Sequence, residues 1–394
     1  MSNTTAAASS PLPLVLAIDT SCDETSAAVT LGPVVLSNVI ASQTSIHQPY
    51  GGVFPTLAKQ AHQVNIRPTI NKALKLAQVQ PVMLDAVAVT TGPGLAPALE
   101  VGIEHAVKLS QQWHKPLLGI NHLEAHLLSV LASRAKKNLT IKKMLTLKTN
   151  QQKVPVSLAR QFAVTNELHF PVLGLILSGG HTQLVQVDGI GQYRILGETI
   201  DDALGEALDK VGRLLGLGYP AGPVIEQLAK LGNPQAYDWP LPMTTSGDFN
   251  LSYSGLKTAA HRLIKKIEAA GQLGLSKQET FDLTASFQEA AFRHLCYKLE
   301  KLLESQAADV FKAAWLGGGV AANIFLRRKL RQLLKRYNLQ LLTPFEKRLC
   351  GDNAAMIGVT AGLRVESGLE ELLPNSASNP ASLDRKPSWS LEQL

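Results

Sequence analysis

His122 and His126 stand four residues apart in the stretch GINHLEAHLLS, with Glu124 between them. On a helix that spacing puts both imidazoles on one face, one turn apart, where they can share a metal ion. The order is H-x-E-x-H. In a zinc-peptidase helix the glutamate directly follows the first histidine and so reaches the metal-bound water. Here Glu124 lies about 200° around the helix from His122 and points away from a shared metal. The bare spacing fits two ordinary helix-surface histidines equally well, so a metal site requires a third ligand. Asp352, in the polar loop CGDNAAM, is the best-placed carboxylate. Two imidazoles and one carboxylate with open positions suit Fe(II) or Zn(II).

Three turns offer a second chemistry: IDTSCDET, LSGGHTQ and LGGGVAAN. Each ends an apolar strand in small or hydroxyl residues, so backbone N–H groups can approach a phosphate closely. The last also opens a helix, whose N-terminus favours negative charge. Neither GxxxxGK[ST] nor a clean GxGxxG opening a βαβ unit is present, which leaves P-loop and Rossmann readings unsupported. Asp202, Glu206 and Asp209 share a helical stripe, either to receive ribose hydroxyls or as a wet face. Ser252, Ser254 and Lys257 lie close in sequence, but serine-rich helix caps are commoner than a nucleophile beside its base.

The elements that must carry these residues alternate between strands and helices. PLVLAIDTS is a strand, and Gly32-Pro33 separates two β-branched runs as in a hairpin. A helical stretch follows, then a strand, a Gly-Pro-Gly turn and a helix up to Trp113. PLLGIN is a strand that runs straight into the helix at His122. The pattern restarts at FPVLGLILSGG with three strand-like runs and becomes mostly helical from Asp201 to about Glu304. It ends with two further strand-to-helix passages. This predicts an α/β protein with mixed sheets, built from two successive units of β-meander plus helices. A cleft between such units is the default ligand site.

Composition narrows the partners. The chain has 394 residues, 45% apolar and 18% charged. Its longest apolar runs fall far short of the ~20 residues a membrane span needs. The N-terminus reads as a loose tail, without the basic start and apolar run of a signal peptide. Cys22, Cys296 and Cys350 have no metal-type pair spacing and leave one over from any disulfide, which points to a reducing cytoplasm. The net charge of +7 is concentrated. No acidic residue lies between Glu124 and Glu167, and RRKLRQLLKR at 327–336 forms a second basic cluster. Two such clusters point to a nucleic-acid partner.

Taken together, LAIDTSCDETSAAV, GGVFPTLAKQAH, TTGPGLAPALEVG, NHLEAHLLS, LILSGGHTQLV, GETIDDALGEALDKVGRLLGLGYPAGP, FNLSYSGLKTA, GGGVAAN and CGDNAAMIG resemble the tRNA N6-adenosine threonylcarbamoyltransferase family, bacterial type. These proteins were formerly labelled O-sialoglycoprotein endopeptidases. The segments occur in family order and cover nearly all of residues 14–362. The resemblance implies an actin-like ATPase (ASKHA) fold, two related RNase H-like lobes around a nucleotide cleft. It implies transfer of threonylcarbamoyl from threonylcarbamoyl-AMP to N6 of the adenosine beside the anticodon, in tRNAs reading codons that begin with adenine, with release of AMP. It implies a divalent metal, Fe(II) favoured and Zn(II) possible, on His122, His126 and Asp352. It maps substrate contacts to Ile176, Leu177, Ser178, Gly179, Gly180, Asp209, Gly222 and Asn323, and no protein nucleophile. The expected partners are tRNA, a paralogous actin-like subunit and a small ATPase, in the cytoplasm and without a membrane.

The corresponding organisation is a tail at 1–13, a first lobe at 14–133 with the metal helix, and a basic insertion at 134–168. A second lobe at 169–364 and a tail at 365–394 complete it. Three departures from the family stand out: Ala125 for the usual glycine, Thr56 for a usual glutamate, and the insertion itself. The competing functions are a metallopeptidase, against which the H-x-E-x-H order argues, and a non-catalytic actin-like subunit, against which the retained histidines argue.

Overall fold

The structure is a computed structural model and describes residues 12–134, 139–150, 168–269, 274–306, 310–372 and 383–394. The chain divides into two units. The first comprises Met1–Ser42, Ala58–Leu168 and Asp352–Gln393; the second comprises Gln43–Leu57, His169–Gly351 and Leu394.

In the first unit β1 (Leu14–Asp19), β2 (Glu24–Leu31) and β3 (Val34–Ser42) form an antiparallel meander. Gly32 turns β2 into β3 at φ +52°, a conformation that suits glycine. β4 (Ala86–Gly92) pairs parallel to β1, β5 (Leu117–Asn121) parallel to β4, and the short β6 (Ser133–Arg134) parallel to β3. The sheet order is β5-β4-β1-β2-β3-β6. β1 is buried along its whole length, as its unbroken apolar run predicts for a central strand. Each of Leu14, Leu16 and Ile18 contributes about 1.5–3 kcal/mol by leaving water.

The short helix α1 (Thr44–His47) is followed by α2 (Pro55–Ala77), and α3 (Ala96–Trp113) follows β4. The site helix α4 (His122–Leu128) begins as β5 ends. Within the predicted insertion, α5 (Leu139–Thr149) is helical, buries Met144 and pairs Lys148 with Asp85. Residues 135–138 and 151–167 of that insertion lie outside the described residues, as do residues 1–11 of the predicted N-terminal tail.

The second unit repeats the path. β7 (Val172–Leu177), β8 (Thr182–Gly189) and β9 (Gln192–Glu198) form an antiparallel meander. β10 (Ala314–Gly317) pairs parallel to β7 and β11 (Leu341–Leu342) parallel to β10, giving the order β11-β10-β7-β8-β9. Its helices are α1 together with α6 (Leu204–Leu214), α7 (Gly222–Leu228), α8 (Ser254–Ala269), α9 (Lys277–Ser305) and α10 (Ile324–Lys335). Leu283, Phe287, Leu295 and Leu299 of α9 enter the same core as Leu173 and Leu175 of β7.

Two boundaries differ from the sequence expectation. The last helix, α11 (Ala354–Glu366), belongs to the first unit and packs on β1 and β2. Its side chains are buried nearly all round, which only an enclosed helix tolerates. A Cβ on Gly358 would come within 2.6 Å of Thr30 Oγ1, so the helix lies directly on the sheet. The C-terminal stretch is also more than a loose tail. Lys386 N–H donates to Thr91 O at 2.7 Å, Gly94 N–H to Pro387 O at 3.1 Å, and Leu391 is buried. No helix among the described residues is long and apolar enough to cross a membrane.

Candidate functional site

α4 starts where β5 stops because Asn121 caps it. The Asn121 Oδ1 accepts Leu123 N–H at 2.8 Å and Glu124 N–H at 3.1 Å, satisfying two of the helix's open donors. The Asn121 amide in turn donates to Trp389 O at 3.2 Å, so the docked C-terminal stretch holds the cap. All seven residues of α4 are buried. The rings of His122 and His126 meet edge-on with centroids 4.5 Å apart. Ala125 is fully buried, and Thr56 is exposed in the first turn of α2.

Asp352 arrives from the other end of the chain. Asn353 caps α11 by accepting Met356 N–H at 3.2 Å, and Ser26 Oγ on β2 accepts Ala354 N–H. Asp352 Oδ1 then stands 3.1 Å from His126 Nε2 and 3.5 Å from His122 Nε2. All three donors lie within 4.8 Å of one another. Ligands about 2.1 Å from a tetrahedral ion are ~3.4 Å apart, so the set fits a small divalent cation.

The electrostatics favour the same conclusion. Burial lowers both histidines; the charges of Asp352 and Asp19 outweigh it at His122, which is raised, whereas His126 stays lowered with the His122 charge beside it. Burial raises Asp352, but the two histidines outweigh it and hold its carboxyl well below the ordinary range. Asp19, wholly buried, accepts Thr90 Oγ1–H at 2.8 Å and Ser21 N–H at 3.1 Å, and lies 3.9 Å from His122 Nδ1. Both imidazole Nδ1 atoms and Asp19 Oδ2 have no hydrogen-bond partner among the described residues. Burial pushes the Glu24 carboxyl up to about 7, with Asp23, Asp352 and Asp19 adding their charges. A bound cation would relieve this crowding of carboxylates. Burial also drives the Cys22 thiol well up, so it stays protonated and makes a poor ligand.

Glu124 faces away from the histidines, as its place on the helix predicts. It is completely buried and meets Arg364 Nη1 of α11 at 3.1 and 3.2 Å. Its role is to anchor α4 to α11.

The second unit collects the predicted turn residues. Ile176 and Leu177 end β7, and Ser178 closes the turn by accepting His181 N–H on its hydroxyl at 3.0 Å. Gly205 N–H, in the first turn of α6, donates to Ser178 O at 3.2 Å. Gly318, at φ +95°, lies so close to β7 that a Cβ there would be 2.3 Å from Leu177 O. On α6, Asp209 Oδ1 accepts Ala221 N–H at 2.8 Å and Gly222 N–H at 3.1 Å. Asn323 caps α10 by accepting Leu326 N–H at 2.9 Å, while Glu226 of α7 accepts Ile324 N–H at 2.7 Å. The predicted residues are thus tied into one network. A Cβ on Gly179, Gly180, Gly222 or Gly319 would meet no atom within 4 Å, so the backbone of these turns is open.

Other candidates separate from this network. Asp202 is held by Lys210 at 2.5 Å and Lys257 at 2.8 Å, and Glu206 also meets Lys210. Ser252 and Ser254 donate their hydroxyls to Asp201, at 2.5 and 2.6 Å, beside the start of α8. Asp201 also accepts Tyr253 N–H at 2.8 Å and Ser254 N–H at 3.3 Å, so its carboxylate caps the start of α8. The sequence reading placed Asp19 only at a strand end and did not pair it with His122. It also missed Glu226, whose spacing carries no signal.

A three-stranded meander extended by parallel strands, built twice, is the plan of the actin-like ATPase class. Full-length HypF in the phosphate- and nucleotide-bound form matches with a TM-score of 0.52 and 14% identity, over 92% of this chain and 58% of that one. HypF from T. kodakarensis matches at 0.54 and 13%, over 91% and 50%. These likenesses show the fold. The family model described as TsaD, tRNA N6-adenosine threonylcarbamoyltransferase, matches residues 34–142 and 139–359. A protein of that description from Trichlorobacter lovleyi is 41% identical over 382 residues, 97% of this chain and 99% of its own. One from Cyanothece sp. is 42% identical over 364 residues, 90% of this chain and 92% of its own. The chain belongs to the tRNA N6-adenosine threonylcarbamoyltransferase family, and it is a transferase.

Proposed function

We propose that this chain transfers the threonylcarbamoyl group from threonylcarbamoyl-AMP to N6 of the adenosine beside the anticodon, in tRNAs reading codons that begin with adenine. The N6 amine attacks the carbamoyl carbon, the bond from that carbon to the phosphate oxygen breaks, and AMP leaves with that electron pair. The amine proton passes to solvent. His122, His126 and Asp352 hold a divalent cation, Fe(II) favoured and Zn(II) possible. The cation supplies Lewis-acid and orienting chemistry at a phosphate or carbonyl oxygen. Ile176, Leu177, Ser178, Gly179 and Gly180 receive the acyl-adenylate at their open backbone, with Asp209, Gly222 and Asn323 as further adenylate contacts. The convergence of two imidazoles and one carboxylate within 4.8 Å is the observation that carries this reading.

A second observation supports an external nucleophile. The serine hydroxyls of the one sequence stretch resembling a nucleophile and base are bound by Asp201. We further propose that the basic insertion contributes to tRNA binding through Lys142 and Lys143, which are exposed on α5. The working assembly includes a paralogous actin-like subunit and a small ATPase. Three unpaired cysteines fit a cytoplasmic setting.

The test is transfer of labelled threonylcarbamoyl from the adenylate to unmodified tRNA by the metal-loaded protein, with and without candidate partners. Label in the tRNA at N6 of that adenosine is the expected result. No transfer with any partner set, from a folded and metal-loaded chain, contradicts the proposal.

A further inference from the structure

The bases of α10 divide by what faces them. Leu326, Leu330, Leu333 and Leu334 form its buried side. Lys329 and Arg336 flank that side and are neutralised from α9, by Glu289 and Glu300 respectively, each at 2.5 Å. Arg327 folds back, donating to Ala321 O at 2.5 Å and to Cys350 Sγ at 3.1 Å. On the far side Ile324, Arg328, Arg331 and Lys335 fall within a sector of about 60°, at 100° per residue. All four are exposed. Among the described residues no ion pair is formed by Arg328, Arg331 or Lys335, whereas the flanking bases of the same helix each have one.

A second pair of exposed bases lies on a turn joined to α10. Lys347 and Arg348 are exposed on the turn Lys347–Leu349, and the Arg327–Cys350 contact ties the end of that turn to α10. From Ile324 to Phe345 the sequence has no acidic residue. This arrangement works against the helix on its own. Arg328 with Arg331, and Arg331 with Lys335, are like-charge neighbours three and four residues apart, each pair costing about 0.2–0.5 kcal/mol. An anion laid along the face would reverse that penalty. A protein partner fits less well, because protein interfaces are built on apolar and aromatic anchors with charge depleted at their core. Here a line of cations has a single isoleucine at its end.

We propose that Arg328, Arg331 and Lys335, extended by Lys347 and Arg348, form a docking face for the phosphate backbone of tRNA. The proposal rests on the reading of tRNA as substrate. The face recognises charge and register along the backbone, and base identity is read elsewhere.

The experiment compares the full chain with the triple variant Arg328→Gln, Arg331→Gln, Lys335→Gln in binding unmodified tRNA across a salt series. A charge-keeping variant, Arg328→Lys, Arg331→Lys, Lys335→Arg, is measured alongside. Losing three phosphate contacts lowers the log–log salt slope by about 2–3. The deficit of the glutamine variant therefore shrinks by roughly 15- to 60-fold between about 50 and 200 mM salt. The charge-keeping variant keeps the wild-type slope. Wild-type affinity and slope in the glutamine variant overturn the proposal, as does a loss equal at every salt concentration. Unchanged tRNA binding with loss of a protein partner overturns it in favour of a protein interface. If the wild-type chain binds no tRNA at any salt, either alone or with the partner subunits, the substrate reading falls and this face falls with it. If wild type binds and the variant matches it, this face alone is wrong.

Discussion

His122 in the first unit and His294 in the second are both buried, yet their imidazoles are pushed in opposite directions. Burial lowers His122, but Asp352 and Asp19 outweigh it and raise it overall. Burial lowers His294 to about 4, with the Lys298 cation acting the same way and Asp201 opposing. His294 is therefore neutral, and its Nε2 accepts Ser252 N–H at 3.1 Å. The two units share a strand path and differ in what stands at its strand ends. The first gathers carboxylates and calls for a cation. The second leaves the turns at Gly179, Gly180 and Gly319 open, where we propose that the acyl-adenylate binds. Duplicated topology thus fixes where the strands end, and the side chains at those ends decide what binds there.

The contrast is tested most severely by removing what holds the cationic centre in place. Glu124→Ala leaves Arg364 partly buried with only Glu370 for company, and such broken pairs cost about 3–5 kcal/mol. Denaturant unfolding reads this directly. Unchanged stability would mean that Glu124 is not the anchor, and would reopen a catalytic role for it.

The neutral histidine gives the second unit its own pH signature. The ordinary histidine value is near 6.5 and the folded value about 4, so the unfolded chain binds the extra proton first. The His294 contribution is present in full above about 6.5 and is lost as pH falls toward 4, on the order of 3 kcal/mol in total. Unfolding midpoints at neutral and acid pH should therefore converge between wild type and His294→Gln as pH drops. A constant gap across that range removes His294 from the account.

The smallest effect on stability is expected at Gly319. Its would-be Cβ meets nothing within 4 Å, so Gly319→Ala should leave stability within about 0.5 kcal/mol. If this turn receives the nucleotide as proposed, binding of AMP, measured by calorimetry, should nonetheless weaken, because the added methyl group occupies the open space beside the backbone. Unchanged AMP affinity would show that this turn does not receive the nucleotide.

Much of this was readable from residue order. The all-buried β1, the Gly32 turn and the strand that runs into α4 follow from local apolar runs and breakers. Counting around α4 put Glu124 off the histidine face, and it lies against Arg364. What could not be read depends on contacts between distant parts of the chain. Nothing local to Asp352 says that the chain returns there to the first unit, although α11 is apolar enough to be enclosed. Asp19 faces His122 across 103 positions because β1, β4 and β5 are neighbours in the sheet. The C-terminal stretch is poor in local signals, yet it docks through Leu391 and the Lys386 and Trp389 backbone. The basic cluster at 327–336 was visible as charge. Only the acids of α9 reveal which of its members are already paired.

The central claim is that His122, His126 and Asp352 hold one cation. Its most direct test is the metal content of anaerobically purified wild-type protein and of His126→Ala, by elemental analysis on samples shown to be folded. The account predicts about one ion per chain in the wild type, as expected for a three-ligand site with an open position, and loss of that ion in the variant. Full occupancy in the variant would contradict it.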